Sequence, residues 1–110
     1  MNESIKVLIT GTSQGIGKAI AEYFLEMGHD VIGIDRQEQS INHDRYFHHQ
    51  CDISDYENLP EIDDVEILIN NAGTQNEDDI DINLKALIKV TEKYGIQKHI
   101  RSILNIGSAS

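Results

Sequence analysis

The stretch that decides the fold is Thr10-Gly11-Thr12-Ser13-Gln14-Gly15-Ile16-Gly17, which separates an apolar run from a long helix-like segment. The run before it, residues 5–9, has the Ile, Val and Leu content of a buried strand. The segment after it, residues 15–27, places apolar residues at helical spacing and is followed by Gly28, a natural helix stop. Glycines let the backbone turn sharply between the two. The stretch therefore predicts a strand, a tight turn and a helix in succession.

Four more short apolar runs follow and alternate with helix-like segments. The runs are residues 31–34, 46–51, 65–69 and 102–106. Apart from 46–51, they share with residues 5–9 a high content of Ile, Val and Leu and little alternation. That composition predicts strands covered on both faces of a parallel sheet. Because strands and helices alternate along the chain, the pattern predicts the α/β fold class with right-handed crossovers.

Helices are expected in three of the connections. Two long ones cover residues 15–27 and 80–94. A short one is expected to start at Ser54, because Ser54 and Glu57 fit a capping box, and to stop at Pro60. In residues 36–45, which are mostly polar, we expect a loop or a single helical turn.

The spacing of large apolar residues also predicts which helix faces meet the sheet. In the first long helix this face comprises Ile16, Ala19, Ile20, Tyr23, Phe24 and Met27. In the last it comprises Leu84, Leu87, Ile88 and Thr91.

Size and charge limit what the chain can be. Its 110 residues and 12.4 kDa suit one domain, residues 1–110. A net charge of −10 argues against binding nucleic acid or an anionic membrane, since both need a basic face. No apolar run is long enough to span a membrane and no secretory signal is visible, so a soluble cytoplasmic protein is expected. The single cysteine, Cys51, is expected to be a small core residue, and no metal site is expected.

The glycine turn also indicates a ligand. Glycines allow a phosphate to approach the backbone, and a helix N-terminus offers free N–H groups to a pyrophosphate. Asp35 follows Gly15 by 20 residues, at the end of the second strand, where an acidic side chain can bind the hydroxyls of an adenosine ribose. The alternative is a strand-to-helix turn that binds nothing.

Four motifs in this order resemble the short-chain dehydrogenase/reductase family. They are Thr10-Gly11-x-x-x-Gly15-Ile16-Gly17, Asp52-Ile53-Ser54, Asn70-Asn71-Ala72-Gly73 and Asn105-Ile106-Gly107-Ser108. The resemblance covers nearly the whole chain. It implies a Rossmann-like three-layer αβα domain with a parallel sheet in the order 3-2-1-4-5. It also implies hydride transfer between a nicotinamide cofactor and the carbon of a small alcohol or ketone, with a 3-oxoacyl thioester reductase as one variant.

The resemblance also assigns roles to single residues. Ser108 would bond the substrate oxygen, with Ser110 as a weaker alternate, and Asn83 would hold a water in a proton relay. Asn70 would link strands. The residues expected to contact the cofactor are Gly11, Thr12, Ser13, Gln14, Gly15, Ile16, Gly17, Asp35, Arg36, Asp52, Ile53, Asn71, Ala72 and Gly73.

Charge at the glycine turn favours NAD over NADP. The Asp35 carboxylate would repel a 2′-phosphate, and Ser13 and Gln14 are uncharged where relatives that bind this phosphate often carry a basic residue. Arg36 is the opposing clue, because a cation just past the strand can meet a 2′-phosphate.

The family's general acid/base, a Tyr followed four residues later by a Lys, lies beyond the catalytic Ser. Tyr94 and Lys98 have that spacing but precede the last strand, so we interpret them as chance. The chain is therefore expected to be the N-terminal part of a longer enzyme that forms dimers or tetramers. Its rivals are a dinucleotide-binding module or redox-sensing regulator without turnover, and an inactive truncated product.

Overall fold

The chain folds around one parallel sheet of five strands. The computed structural model describes residues 4–72 and 80–106. The strands are β1 (Lys6–Thr10), β2 (Asp30–Asp35), β3 (Tyr46–Gln50), β4 (Ile67–Asn70) and β5 (Ser102–Asn105). Their order in the sheet is β3-β2-β1-β4-β5, and every neighbouring pair is parallel. The predicted fold class and strand order are confirmed.

Two helices cover opposite faces of this sheet, which gives the three layers. The helices are α1 (Gly15–Glu26) and α2 (Ile80–Tyr94). Alternate residues of a strand point to opposite faces, so Val7 and Ile9 of β1 belong to the core under α1, whereas Leu8 belongs to the core under α2. All three are fully buried.

The buried face of α1 differs from the predicted one. Gly17, Ala21 and Leu25 are buried, and Ile20 and Phe24 pack beside them. Four residues of the predicted face, Ile16, Ala19, Tyr23 and Met27, are exposed instead. Counting large apolar side chains was misleading here, because Gly17 and Ala21 are small enough to bring the helix close to the sheet.

The end of α1 follows the sequence pattern. Gly28 has a φ of +89°. Its N–H donates to Leu25 O at 3.0 Å, and the His29 N–H donates to Phe24 O at 3.1 Å. This left-handed residue and its two hydrogen bonds form a Schellman cap. Glycine is favoured there because it adopts a positive φ without steric strain.

The buried face of α2 was predicted correctly only in part, since Leu87 and Thr91 are partly buried. Ala86, Val90 and Tyr94, four residues apart, form the buried stripe. Leu84 and Ile88, both predicted to be buried, are exposed. The helix boundaries, by contrast, agree with the prediction.

The segment after β3 does not form the predicted capping box. A single 3-10 turn, Tyr56–Asn58, stands there, and no side chain caps it. Ser54 instead gives both its N–H (2.9 Å) and its hydroxyl (2.8 Å) to Asp52 Oδ1. Because the Ser54 hydroxyl already donates to Asp52, it does not cap a helix N-terminus.

Residues 36–45, between β2 and β3, form the predicted loop. Ile41 anchors the loop in the core under α1. The Ser40 hydroxyl donates to Ser13 O at 2.6 Å, and the Ser13 hydroxyl donates to Glu38 O at 2.8 Å. The loop therefore lies against the glycine turn.

The last strand differs from the prediction in its burial. β5 pairs with β4 in register, Asn105 opposite Asn70, but all four of its residues are exposed. Ile103 and Leu104 expose 41% and 46% of their surface, one on each face of the sheet. β5 is thus an open edge, not a strand covered on both sides.

Candidate functional site

A cavity of about 240 Å³ opens at the carboxyl ends of the central strands. This is where open α/β sheets bind ligands, at the point where the strand order reverses. The cavity is lined by Gly11, Gln14, Gly15, Ile34, Asp35, Arg36, Gln37, Cys51, Asp52, Ile53, Asn71 and Ala72.

The glycine turn forms one wall, and two of its glycines are required for different reasons. Gly15 has a φ of +64°, and a Cβ placed on it would meet nothing within 4 Å. Gly11 has a φ of +81°, and its Cβ would lie 2.8 Å from Asn71 Nδ2 and 3.0 Å from Ala72 Cα. Gly15 is therefore needed for its positive φ and not for space, whereas Gly11 also allows the turn to approach the end of β4.

The N-terminus of α1 faces this wall. Gln14 stands at the N-cap position with extended backbone, and its side chain makes no capping bond. The first turn of α1 contains no acidic side chain. Its amide groups and the positive end of the helix dipole are therefore available to an anion.

Asp35 ends β2 with its carboxylate held from two sides. The Ser13 N–H donates to Oδ2 at 2.9 Å, and the Gln37 N–H donates to Oδ1 at 2.8 Å. The residue is only 8% exposed. Each oxygen keeps a second lone pair, so the oriented carboxylate can still accept hydroxyl groups.

The segment after β3 supplies the opposite wall. Asp52 and Ile53 line the cavity, and Ile53 is also part of the core under α2. Cys51 lines it too; it is half-buried and packs against the core under α2, at its margin and not inside it. Burial raises the pKa of the Cys51 thiol, and the nearby Asp55 and Asp52 add to the shift. The thiol is therefore a poor nucleophile.

The end of β4 is fixed against β1 and β5. Thr10 Oγ1 accepts the N–H groups of Asn71 and Ala72, both at 3.0 Å. Asn71 Nδ2 donates to Gly11 O at 3.1 Å, and Asn70 Nδ2 donates to Asn105 Oδ1 at 2.9 Å. These bonds place Asn71 and Ala72 at the cavity, while Asn70 links β4 to β5.

The structure brings most of the predicted cofactor residues together, though not all. Nine of them line the cavity: Gly11, Gln14, Gly15, Asp35, Arg36, Asp52, Ile53, Asn71 and Ala72. Four do not: Thr12 and Gly17 are buried, the Ser13 N–H bonds Asp35, and Ile16 is 62% exposed outside the cavity. Asn83 lies near the start of α2 and does not line the cavity. Gly73, Ser108 and Ser110 lie outside the described residues.

Three lining residues were missed by the sequence analysis. Ile34, Gln37 and Cys51 each stand next to a predicted site residue, Asp35, Arg36 and Asp52 respectively. Their position at a strand end was the available signal, since residues flanking a parallel strand end share the same rim of the sheet.

Tyr94 and Lys98 take no part in this site. Tyr94 is 1% exposed, and its hydroxyl donates to Pro60 O at 2.6 Å on the α2 side of the sheet. Burial raises the pKa of Tyr94, so its phenol stays protonated. Neither residue lines the cavity. This agrees with the interpretation of their spacing as chance.

Within residues 4–72 and 80–106, no helix is long and apolar enough to cross a membrane. In the same part of the chain, no three His, Cys, Asp or Glu side chains come together as metal ligands would.

Comparison with known proteins gives a consistent family. The short chain dehydrogenase family matches residues 6–109. A benzil reductase ((S)-benzoin forming) of Bacillus subtilis is 37% identical over 78 residues, covering 60% of this chain and 32% of that protein. A 3-oxoacyl-[acyl-carrier-protein] reductase of Rickettsia typhi is 32% identical, over 92% of this chain and 52% of the reductase. An NADP-dependent 3-hydroxy acid dehydrogenase of Shigella flexneri is 26% identical, over 94% and 54%.

A solved structure matches the fold over nearly the whole chain. It is a short-chain dehydrogenase from Leptospira borgpetersenii with bound NAD+, at a TM-score of 0.75 and 25% identity. The match covers 96% of this chain and 52% of that one. The chain thus spans about half the length of these proteins, or less.

Proposed function

Since the chain belongs to the short-chain dehydrogenase family, we propose that it forms the cofactor-binding part of an NAD-dependent oxidoreductase acting on a small alcohol or carbonyl compound. The observation that supports this most is the cavity that joins the glycine turn to the Asp35 carboxylate. A 3-oxoacyl thioester is one candidate substrate, because a 3-oxoacyl-[acyl-carrier-protein] reductase is among the relatives.

The donor groups of the cavity fit such a dinucleotide. The uncapped start of α1 at Gln14 and Gly15 suits a pyrophosphate, which needs N–H groups and no competing side chain. Asp35 suits the adenosine ribose hydroxyls. Asp52 and Ile53 would flank the adenine ring, and Asn71 and Ala72 would face the nicotinamide half.

When bound, the nicotinamide supplies or accepts the hydride. The residues of this chain would bind and orient it. We further propose that Ser108 bonds the substrate oxygen and that Asn83 takes part in proton transfer. None of the described lining residues is a tyrosine or lysine, so the proton donor to a carbonyl would come from another part of the protein.

The choice of NAD rests on Asp35. Its carboxylate would face a 2′-phosphate directly, and two like charges about 4 Å apart repel by about 4 kcal/mol at an effective dielectric of 20. The relatives themselves differ, because the Leptospira borgpetersenii structure holds NAD+ and the Shigella flexneri enzyme is NADP-dependent. Arg36, at the cavity, is the residue that could offset this repulsion.

Binding measurements on the protein test this proposal. By calorimetry, NAD+ should bind at least about tenfold more tightly than NADP+, since tenfold corresponds to only 1.4 kcal/mol. Asp35→Asn should reduce that ratio at least about tenfold. Asp63→Asn, which removes the same charge from an exposed position, should leave the ratio unchanged. Equal affinity of the unaltered protein for the two cofactors would refute the NAD assignment.

A binding module without turnover is the second candidate. Its support is that none of the described residues lining the cavity is a tyrosine or lysine that could act as the general acid/base. The two candidates differ in a single assay on the full-length protein, including the part that would supply the proton donor: NAD+ reduction in the presence of a panel of small alcohols. Tight NAD+ binding without reduction of any kind would support the module and refute the oxidoreductase.

We also propose that the 110-residue chain, taken alone, self-associates. An open strand edge with exposed apolar side chains invites pairing, and β5 exposes both Ile103 and Leu104. Light scattering at high concentration should give at least twice the monomer mass. A monodisperse monomer would contradict this expectation.

A further inference from the structure

Tyr46, the first residue of β3, reaches across the neighbouring strand to the glycine turn. Its hydroxyl lies 2.6 Å from Thr12 Oγ1, a hydrogen bond between residues 34 apart in sequence. Tyr46 is 5% exposed and Thr12 is fully buried. The phenol thus forms a buried link between β3 and the turn after β1.

The same hydroxyl extends the link to the β2–β3 loop. It lies 2.6 Å from His48 Nδ1, and His48 Nε2 lies 3.0 Å from Gln37 O. A hydroxyl both donates and accepts, so Tyr46 can bond Thr12 and His48 at once. Burial raises the pKa of Tyr46, which keeps the phenol protonated and able to do so.

These bonds close a ring around Asp35. The two N–H groups that hold its carboxylate belong to Ser13 and Gln37. Ser13 follows Thr12, which Tyr46 bonds, and Gln37 is the residue whose carbonyl His48 bonds. Both backbone segments that orient the carboxylate are therefore fixed by the same pair of side chains from β3.

Gly33 is independent evidence for the bond between Tyr46 and Thr12, because it leaves the space in which their hydroxyl groups meet. This residue lies in the middle of β2, where glycine weakens a strand. A Cβ placed on it would lie 2.1 Å from the Tyr46 hydroxyl oxygen and 2.3 Å from Thr12 Oγ1. Any other residue at 33 would therefore separate Tyr46 from Thr12.

We propose that Tyr46 is a positioning residue for the adenosine end of the site, acting through Thr12 and through His48 to hold the Asp35 carboxylate where it binds a ribose 2′-hydroxyl and rejects a 2′-phosphate. This inference rests on the proposed function. It adds that selectivity depends on the buried link from β3 as well as on the carboxylate.

The test compares two probes that lack the nicotinamide half, 5′-AMP and adenosine 2′,5′-bisphosphate, by calorimetry on the protein. Tyr46→Phe removes the hydroxyl and keeps the ring. The Kd of 5′-AMP should rise about threefold to tenfold, the effect of losing one hydrogen bond between the Asp35 carboxylate and the ribose. The Kd of the bisphosphate should not rise in parallel, so the preference for 5′-AMP should fall.

Tyr94→Phe is the matched control. It also removes the hydroxyl of a buried tyrosine, one that donates to Pro60 O, but on the opposite face of the sheet and away from the lining residues. Both variants should lose thermal stability, whereas only Tyr46→Phe should change the ratio of the two affinities. A merely structural role for Tyr46 would leave that ratio unchanged.

A second pair of variants covers the case in which Tyr46→Phe does not fold. His48→Ala cuts the link at its less buried end, and His49→Ala changes the neighbouring exposed histidine. Only His48→Ala should lower the preference for 5′-AMP. An unchanged ratio in both Tyr46→Phe and His48→Ala would overturn the inference while leaving the proposed function intact. If the unaltered protein binds neither probe, the proposed function fails and the inference fails with it.

Discussion

Replacing Gly17 with alanine tests the packing of α1 against the glycine turn. An added Cβ would lie 1.9 Å from Gly11 O and 2.5 Å from Asn71 Nδ2. Ordinary van der Waals contact begins at 3.4 Å, so α1 would have to move away from the turn by about 1.5 Å. The nearest atom is a backbone oxygen, which cannot rotate out of the way.

Two opposing effects set the size of the change. Alanine favours a helix over glycine by about 1 kcal/mol. Forcing an extra methyl group into a packed site costs up to about 3 kcal/mol. The steric effect is the larger one, so Gly17→Ala should lower the free energy of unfolding by about 2 kcal/mol. The same displacement weakens the bond from Asn71 Nδ2 to Gly11 O, so NAD+ affinity should fall as well.

Urea unfolding followed by circular dichroism measures this effect. A loss of about 2 kcal/mol corresponds to a midpoint roughly 1–2 M lower at the usual urea dependence for a small protein. Ala19→Gly, at an exposed position of the same helix, calibrates the helix propensity alone and should lose about 1 kcal/mol. If Gly17→Ala is as stable as the unaltered protein or more stable, the close approach of α1 to the turn is wrong.

Three further predictions concern the sheet and the cavity. A double-mutant cycle with Asn70→Ala and Asn105→Ala should give a coupling energy of about 1 kcal/mol in urea unfolding, and additive losses would contradict the bond between them. The hydrogen bond from Arg45 lowers the pKa of Asp30 below 3.8, so the pair stabilises the fold above that pH and is lost as the pH falls through the lowered value. Asp30→Asn should therefore be less stable than the unaltered protein at neutral pH, by at most about 1 kcal/mol for so exposed a pair, and equally stable in strong acid; a constant difference would refute this. Iodoacetamide should alkylate Cys51 more slowly in the folded than in the urea-unfolded protein, and 5′-AMP should slow it further; equal rates with and without 5′-AMP would place the nucleotide elsewhere.

The sheet could be predicted from the sequence because its signals are local. Runs of Ile, Val and Leu mark the central strands, and Gly11 and Gly15 mark the turn that must adopt positive φ. Asp35 was found by its distance from Gly15, since a strand of fixed length places it at the rim. None of these predictions depends on which residues pack together in the folded protein.

The helix faces could not be predicted in the same way, because burial depends on how close a helix comes to the sheet. Gly17 and Ala21 are buried in α1 since their small size permits close approach, whereas Ile16 is left exposed. In α2, the small residue Ala86 is likewise buried, whereas Leu84 is exposed. The side-chain size at one helix position therefore determines which neighbouring residues are buried. The spacing of hydrophobic residues carries no information on side-chain size.

Competition between partners explains the other errors at the site. The sequence predicted that Ser54 caps a helix together with Glu57. Its hydroxyl instead donates to Asp52, two residues earlier. The ring around Asp35 was missed since its members lie on three separate segments, residues 12–13, 35–37 and 46–48. Hydrogen bonds between residues so far apart in the chain produce no regular sequence spacing from which they could be predicted.

The short β2–β3 loop accounts for the position of Tyr46. A helix after β2 would cover the α1-side face of β2 and β3, where Gly33 presents no side chain. Here residues 36–45 form no helix, so that face is filled by Ile41 and by the Tyr46 phenol, which lies across Gly33. A buried phenol in this place needs hydrogen-bond partners, and those within reach are Thr12 and His48. The non-helical β2–β3 connection and the bracing of the Asp35 carboxylate are thus linked by the way the Tyr46 phenol packs.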